Sequence, residues 1–527
     1  MKKVILLITV TITASCFAEE PLANEDLQGL YVYSIEQVLR LPPEEIDVGI
    51  AALIISESWS EVVAGRRYQQ QLDDWAYEIR DLLKVKKIPV GMGAIPVINT
   101  YLYDELKFKT IDRADDPHDL FLHTVMDRRR GYCLSLSIVY LAIGERLGLP
   151  LYGVVAPGHF FVRYDDGQTR FNIEATHQGV SPTDDYYIKT FNVPAGDTLY
   201  MTNLNKLQTL GCFCNNLGNV YKEVANYDQA MQALKCAVYI NPTLAESRAN
   251  LGGIYLVKNR PDDAIPEFQA AIRINPNNGR THYGLGNAYY MRDWLNDAVS
   301  EYTITTRYEP NFVDAYRNLS LTYRRLDRLP EAKATTIQAL VYEPKNPHLY
   351  FDLAEVYAQS DDYNEAITRY EKAIKLKPDF AEAYAGIGRC YLKNSQPDKA
   401  IKSCLKSLQL RPETPSALEC LGTAYFAKGN YDSAIEQYLK AINIEASANL
   451  YRNLGACYFN KGNFEQAYAG YSKAVELDPK MADAHYQLAI IHYKLRNYDE
   501  ALKHIKTSQE LGAAVDPNLV KSIENRQ

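Results

Sequence analysis

Apolar residues recur at helical spacing along most of the chain. Ile46, Ile50, Leu53 and Ile54 follow Pro42-Pro43-Glu44-Glu45, a run whose prolines and acids suit a helix start. Tyr68, Leu72, Trp75, Ile79, Leu82 and Leu83 mark one face of a second amphipathic helix. A third runs through Ile98, Leu102 and Leu106, and a fourth leads from Leu120 into Arg128-Arg129-Arg130. The segment GYCLSLSIVYLAIGERLGLP then places Leu136, Val139, Tyr140, Ile143 and Leu147 at helical spacing. In GHFFVRYDDGQTRFNIEAT the pattern changes to a hairpin, with Phe160, Val162, Tyr164, Phe171 and Ile173 on one apolar face. Asp166-Gly167 suits a two-residue primed turn. On that register Asp165 pairs with Gln168, and His159 lies directly opposite Glu174 on the other face.

A longer period takes over after residue 200. Pro242, Pro276, Pro310, Pro344, Pro378 and Pro412 are each 34 residues apart, and Pro479 keeps the phase. Leu217-Gly218 with Tyr221, Ala230 and Ala237 recurs as Leu251-Gly252 with Tyr255, Ala264 and Ala271, and again at Leu285, Leu353, Leu421 and Leu454. Small residues let two helices of a unit approach, aromatics fill the gap, and proline closes the second helix. This is the pattern of tetratricopeptide repeats. Eight good repeats run from Gly211 to about Asp478, and a weaker ninth has Leu488, Ala489 and Ala501, with His492 in the place of Tyr. Atypical terminal units cap an exposed face.

The chemistry sits ahead of the repeats. Cys133 falls in the first turn of its helix, where the dipole favours a nucleophilic thiolate. Singly, a buried Cys is usually a small hydrophobe and a strand His a satisfied polar group. Together, Cys133, His159 and Glu174 give the nucleophile, base and orienter of a thiol site. Asn172 shares the face of Glu174 and is an alternative orienter. The three arginines read as a solvated turn, with a grip on a substrate carboxylate as the lesser option.

RRRGYCLSLS, LPLYGVVAPGHFFVRYDDG and RFNIEAT resemble the transglutaminase-like superfamily, in the branch with a SirB-type helical extension ahead of the core. The resemblance spans about residues 25–200. It implies an α+β, papain-like domain with Cys133 as nucleophile, His159 as base, and Glu174 in the place of the usual Asp. Many proteins of that branch lack the Cys, so its presence here favours catalysis. The expected architecture is an α+β transglutaminase-like domain at 25–200 followed by an all-α tetratricopeptide superhelical solenoid at 211–515.

The first helices of the repeats should line a groove. The residue before the repeat Leu is Asn216, Asn250, Asn318 and Asn453 in four units. Side-chain amides donate and accept at once, so this row could pair with the backbone of an extended peptide, flanked by Tyr290, Phe351, Phe426, Phe459 and Tyr486. The alternative is that Asn is simply the repeat consensus. Arg317, Arg324, Arg325, Arg389 and Arg452 are interspersed with Asp314, Asp352, Glu355 and Glu382, which selects no charge class of ligand.

At 527 residues the chain is too long for a single core. A formal charge of −8 without a basic block gives no footprint for nucleic acid. Lys2-Lys3, apolar Val4 to Ile12 and then small residues read as a signal peptide over 1–18, too short to span a bilayer. Export to a bacterial periplasm or envelope follows. Thr-Ala-Ser-Cys at 13–16 resembles a lipobox that would lipidate Cys16, although Thr13 replaces the usual Leu. Cys236, Cys390, Cys404, Cys420 and Cys457 occupy small-residue positions of repeats, and Cys212 and Cys214 lie too close on one helix start to bridge. Scattered histidines suggest no metal, and no cofactor is expected. The reading is therefore an exported Cys-His-Glu thiol hydrolase or acyltransferase whose groove recruits a protein or extended peptide. The rival, from another class, is an interaction scaffold with an inert thiol domain.

Overall fold

The computed structural model describes residues 34–60, 65–111, 116–193 and 200–524; the 1–18 leader and Cys16 lie outside them. The chain divides into two compact units, one up to Arg260 and one from Pro261.

In the first unit, helix Val48–Ser58 begins later than the Pro42-Pro43 signal predicts. The Asp47 carboxylate caps it by accepting from the Ile50 amide at 2.8 Å. The two prolines stay in a turn, because an Asx cap satisfies an orphan amide that a proline start leaves unpaired. This helix is buried nearly all round, as is helix Cys133–Leu147, and together with helix Gly65–Val85 they form the core. On Gly65–Val85 the side chains of Tyr68, Leu72, Trp75, Ile79 and Leu83 are buried, as their spacing predicts.

Beside the core helix lies an antiparallel three-stranded sheet, Leu151–Ala156, His159–Asp165 and Arg170–Ile173 in that order. Phe160, Val162, Tyr164 and Ile173 face the main core, while Val154, Ala156 and Phe161 pack with Tyr187 on the opposite face. The second hairpin does not have the predicted register. Asp165 pairs with Arg170, not Gln168, and Arg163 with Asn172. Asp166 Oδ1 accepts from the Gln168 and Thr169 amides at 2.9 and 2.7 Å, and an Asp165–Arg170 ion pair at 2.7 Å closes the ladder beyond it. The Asp side chain thus imposes an Asx turn and a longer loop in place of the primed turn. A slip of two residues preserves the face of every side chain.

The periodic segment is eighteen helices from Lys206–Glu223 to Tyr498–Glu510, followed by Pro517–Glu524, in which Ile523 is buried. Helices Lys206–Glu223, Tyr227–Ile240 and Ala245–Val257 belong to the first unit. Within the second unit, the small-residue positions behave as the period predicts: Ala298, Ala366, Ala434 and Ala467 are buried. A Cβ added at Gly388 would stand 2.5 Å from Cys404 Sγ and 2.9 Å from Cys420 Sγ, so these thiols fill the close approach of two helices. All eight described cysteines are free and buried.

Candidate functional site

Each member of the Cys-His-Glu set is placed by a local device. The Ser135 hydroxyl accepts from the Tyr132 amide at 2.9 Å, which fixes the helix start and sets Cys133 as its first residue. The Cys133 amide is therefore among those with no intrahelical partner. Gly158, at φ +71°, closes the two-residue turn before His159, which begins its strand at the pocket rim. Only a residue tolerant of left-handed backbone suits that position. Glu174 follows the last strand and caps the short helical turn Ala175–His177.

His159 Nε2 and Glu174 Oε2 are 2.7 Å apart, with the two side chains only 14% and 5% exposed. The slipped register puts Glu174 one step diagonal to His159 instead of directly opposite, so the expected pairing is corrected while the contact itself is made. Diagonal neighbours on one face are about 7–8 Å apart, within reach of a long side chain. Glu174 Oε2 also accepts from the Tyr187 hydroxyl at 2.9 Å, and Oε1 from the Thr176 hydroxyl and amide at 2.6 and 3.1 Å. Burial opposes its charge, but the bonds from His159 and Thr176 outweigh burial and hold its pKa below the ordinary value.

Cys133 and His159 line the same pocket. Burial alone would lower the imidazole pKa; the neighbouring Cys133 and the hydrogen-bonded Glu174 carboxylate raise it to about 9. Phe191 lies parallel to the imidazole with ring centroids 4.6 Å apart and shields one face. Such an arrangement can hold a thiolate–imidazolium pair and return the proton to a leaving group.

Asn172 is not the orienter. Its Oδ1 accepts from Arg163 Nε at 2.8 Å, and its Nδ2 donates to Asp184 and to the Pro182 carbonyl. Arg128 and Arg130 bond Asp119, whereas Arg129 turns inward over the rings of Trp75 and Phe108 at 4.5 and 5.3 Å. The run is thus an anchored corner and not a wholly solvated turn.

The pocket at Cys133 and His159 is lined by Tyr132, Val155, Ala156, Gly158 and Phe160 together with Cys212, Asn215, Asn216 and Glu246. Those last four come from helices Lys206–Glu223 and Ala245–Val257, the first of the repeats. Asn216, expected in a peptide groove, therefore faces the thiol pocket. Burial and the field of Glu246 push the Cys212 thiol up to about 12, which leaves it protonated at neutral pH. Sequence spacing gave no signal for Tyr187, Phe191 or Glu246, whose roles depend on packing between distant segments.

The other predicted amides are engaged within the fold. Asn250 Nδ2 donates to Asn215 Oδ1 at 3.0 Å. In the second unit, Asn318 Nδ2 donates to Asn287 Oδ1 and the Tyr283 hydroxyl at 2.9 and 3.0 Å, and Asn453 Oδ1 accepts from Arg452. Its charges also pair between helices: Arg317 with Asp352 at 2.7 Å, Arg324 and Arg389 with Glu355, and Arg452 with Asp483. Of the flanking aromatics, Phe351 packs on Phe380 and Tyr370, and Arg325 covers Tyr290. Among the described residues no cluster of three or more His, Cys, Asp or Glu is arranged to hold a metal, and no helix is long and apolar enough to cross a membrane.

Comparison with known proteins finds two patterns along the chain. The pattern of the transglutaminase-like superfamily matches residues 66–200. Tetratricopeptide patterns match 213–244, 254–292, 356–395, 381–413, 422–462, 457–495 and 482–512. A UPF0162 protein of Xylella fastidiosa is 30% identical over 127 residues, 24% of this chain and 44% of that protein. F-box only protein 21 of Mus musculus is 38% identical over 85 residues, 16% of this chain and 13% of that protein. The chain thus spans less than half the length of these relatives. Among solved structures, a tetratricopeptide repeat protein from Parabacteroides merdae is 19% identical, with TM-score 0.37 over 47% of this chain and 98% of that one. The Cut9–Hcn1 assembly of the APC/C is 14% identical, with TM-score 0.42 over 86% of this chain and 94% of that one.

Proposed function

We propose that this chain, in which a transglutaminase-like domain is joined to tetratricopeptide repeats, is an exported thiol enzyme of acyl transfer acting on a polypeptide. The observation that carries the reading is the His159 imidazole bonded to Glu174 at 2.7 Å and lining one pocket with Cys133. The helices ahead of the core would be the SirB-type extension, and the leader at 1–18 would direct export to the periplasm or envelope, with Cys16 as a lipid anchor in the lipoprotein case.

In the mechanism, His159 takes the Cys133 proton and Glu174 stabilises the imidazolium. The thiolate sulfur attacks an amide carbonyl carbon, and the oxyanion is received by the Cys133 backbone amide at the helix start. The C–N bond breaks as the amine leaves with the proton from His159, and a thioester remains. Water or a second amine, deprotonated by His159, attacks the thioester, and the sulfur leaves to be reprotonated. Hydrolysis and cross-linking differ only in which nucleophile reaches that thioester. The repeats supply a protein-binding surface, and the bound partner or substrate would be a protein or extended peptide.

The test is a covalent trap. The intact protein is incubated with glutamine-containing peptides, quenched in acid and weighed by mass spectrometry. The reading expects an acyl adduct at Cys133 in the wild type and none in Cys133→Ala. An unmodified Cys133, together with equal turnover in wild type and Cys133→Ala, would leave the protein an interaction scaffold.

A further inference from the structure

Two thiols face each other inside the first repeat. Cys214 belongs to helix Lys206–Glu223 and Cys236 to helix Tyr227–Ile240, 22 residues further along the chain. The Cys214 thiol donates to Cys236 Sγ at 3.5 Å. Glycines bracket the pair. A Cβ at Gly211 would stand 2.5 Å from Asn241 Cβ, and one at Gly218 would stand 2.6 Å from Leu234 Cγ and 3.3 Å from the Ala230 carbonyl oxygen. The two helices thus approach closely on either side of the sulfurs, as a crosslink of short span requires. Disulfide sulfurs lie about 2.05 Å apart, so the pair has to close by about 1.5 Å. Cys214 is wholly buried, whereas Cys236 is 8% exposed. The bond to Cys236, and after it burial, hold the Cys214 thiol well above its ordinary pKa, so Cys214 keeps its proton. Cys236 is therefore the sulfur that a small oxidant meets first.

We propose that Cys214 and Cys236 form a dithiol–disulfide site whose oxidant is a peroxide, small enough to enter where a protein oxidant is excluded. The Cys236 sulfur attacks one peroxide oxygen, the O–O bond breaks, and the leaving hydroxide takes the thiol proton as water. The sulfenic acid that remains on Cys236 is attacked by the Cys214 sulfur. The S–O bond breaks, and a second water carries off the Cys214 proton. Two thiols have then lost two electrons, and hydrogen peroxide has become two waters. The bridge ties helix Lys206–Glu223, which brings Cys212, Asn215 and Asn216 to the thiol pocket, to the next helix of the repeat. It does so whether or not Cys133 is a nucleophile.

The full chain is reduced, freed of reductant, treated with hydrogen peroxide, and blocked with N-ethylmaleimide. Digestion without reductant followed by mass spectrometry should find the Cys214 and Cys236 peptides linked, and separate again on reduction. Cys212 shares a peptide with Cys214, so Cys212→Ala should keep the link and Cys214→Ala should abolish it. Amide hydrogen exchange in helix Tyr227–Ile240 should slow about a hundredfold in the bridged form, because the crosslink restricts the locally unfolded state. Absence of the linked peptide in the wild type, or its loss in Cys212→Ala, overturns the assignment. A link that forms and leaves exchange unchanged overturns the bridge as a tie between the helices.

Discussion

Glu174 reaches His159 along the diagonal of the sheet, with Oε2 and Nε2 at 2.7 Å. A carboxylate directly opposite the base could sit on a shorter stem. On this register the extra methylene of Glu spans the offset that the Asp166 turn creates. Glu174→Asp should therefore lose the imidazole contact and reduce turnover on the order of 10²-fold, although it keeps the charge. Steady-state rates with any amide substrate found by the covalent trap check this; a fully active Asp variant would show that the orienter is not this carboxylate.

Tyr187 is a positioning residue acting through Glu174. Its hydroxyl donates to the carboxylate at 2.9 Å, and its ring lies 3.8 Å from that of Phe161. Tyr187→Phe keeps the stacking and removes one hydrogen bond to a charged group, worth about 1.5–3 kcal/mol. The expected result is about a tenfold drop in kcat with KM little changed and a shifted pH profile. A purely structural role would lower the melting temperature and leave that profile in place.

The pH dependence follows from His159, whose pKa stands at about 9 against an ordinary 6.5. A raised pKa means that the folded state holds the proton more tightly. The stabilisation is complete below about pH 6.5 and is lost as pH rises through about 9. If the protonated imidazole serves the thiolate, activity should show an alkaline limb near pH 9. Glu174→Gln removes the carboxylate charge that helps to raise the pKa, so the limb should move to lower pH. A limb that stays in place in that variant would mean that another group titrates there.

Much of this was legible in the residues. Cys133 at the start of an apolar helix, the shared face of His159 and Glu174, and the 34-residue period each follow from local periodicity. The hairpin register was not legible, because Asp166-Gly167 suits either a primed turn or the Asx turn that Asp166 forms. The helix start near Pro42 failed for a similar reason, since Asp47 offered the better cap. Asn172 and Asn216 illustrate a different limit. What each amide touches is decided by segments far along the chain, Arg163 with Asp184 for the one and the thiol pocket for the other.

Arg163 is 1% exposed and serves as the hub of that distant packing. It donates to Asn172 Oδ1 at 2.8 Å, to the Met201 carbonyl at 2.7 Å and to Asp184 Oδ1 at 2.6 Å. Lys carries the charge but not the planar fork that serves three acceptors. Arg163→Lys should cost about 2–4 kcal/mol through acceptors left buried and unpaired. Chemical denaturation of the full chain, followed by a probe in the first unit, checks this; a loss below ~0.5 kcal/mol would mean that the network contributes little.

Acid should loosen the end of the array before the rest of the second unit. His485 Nδ1 and His504 Nδ1 are 3.0 Å apart, and His492 stacks on His504 with centroids at 5.5 Å. Tyr468 meets the His492 ring edge-on, and the Pro479 carbonyl bonds His485 Nε2 at 3.2 Å. Burial, followed by the repulsion of His485 and His492, lowers the His504 pKa to about 4; Lys503 acts in the same direction and Glu500 against it. The unfolded chain then binds a proton near pH 6.5 that the folded repeat refuses. Stability is complete above about pH 6.5 and falls as pH drops towards about 4. Limited proteolysis at pH 7.5 and pH 5 should show cleavage near residues 480–510 appearing only at the lower pH. His504→Gln, which carries no titrating group, should remove that difference. Equal protection of the segment at both pH values would show that the three imidazoles share their protons without strain.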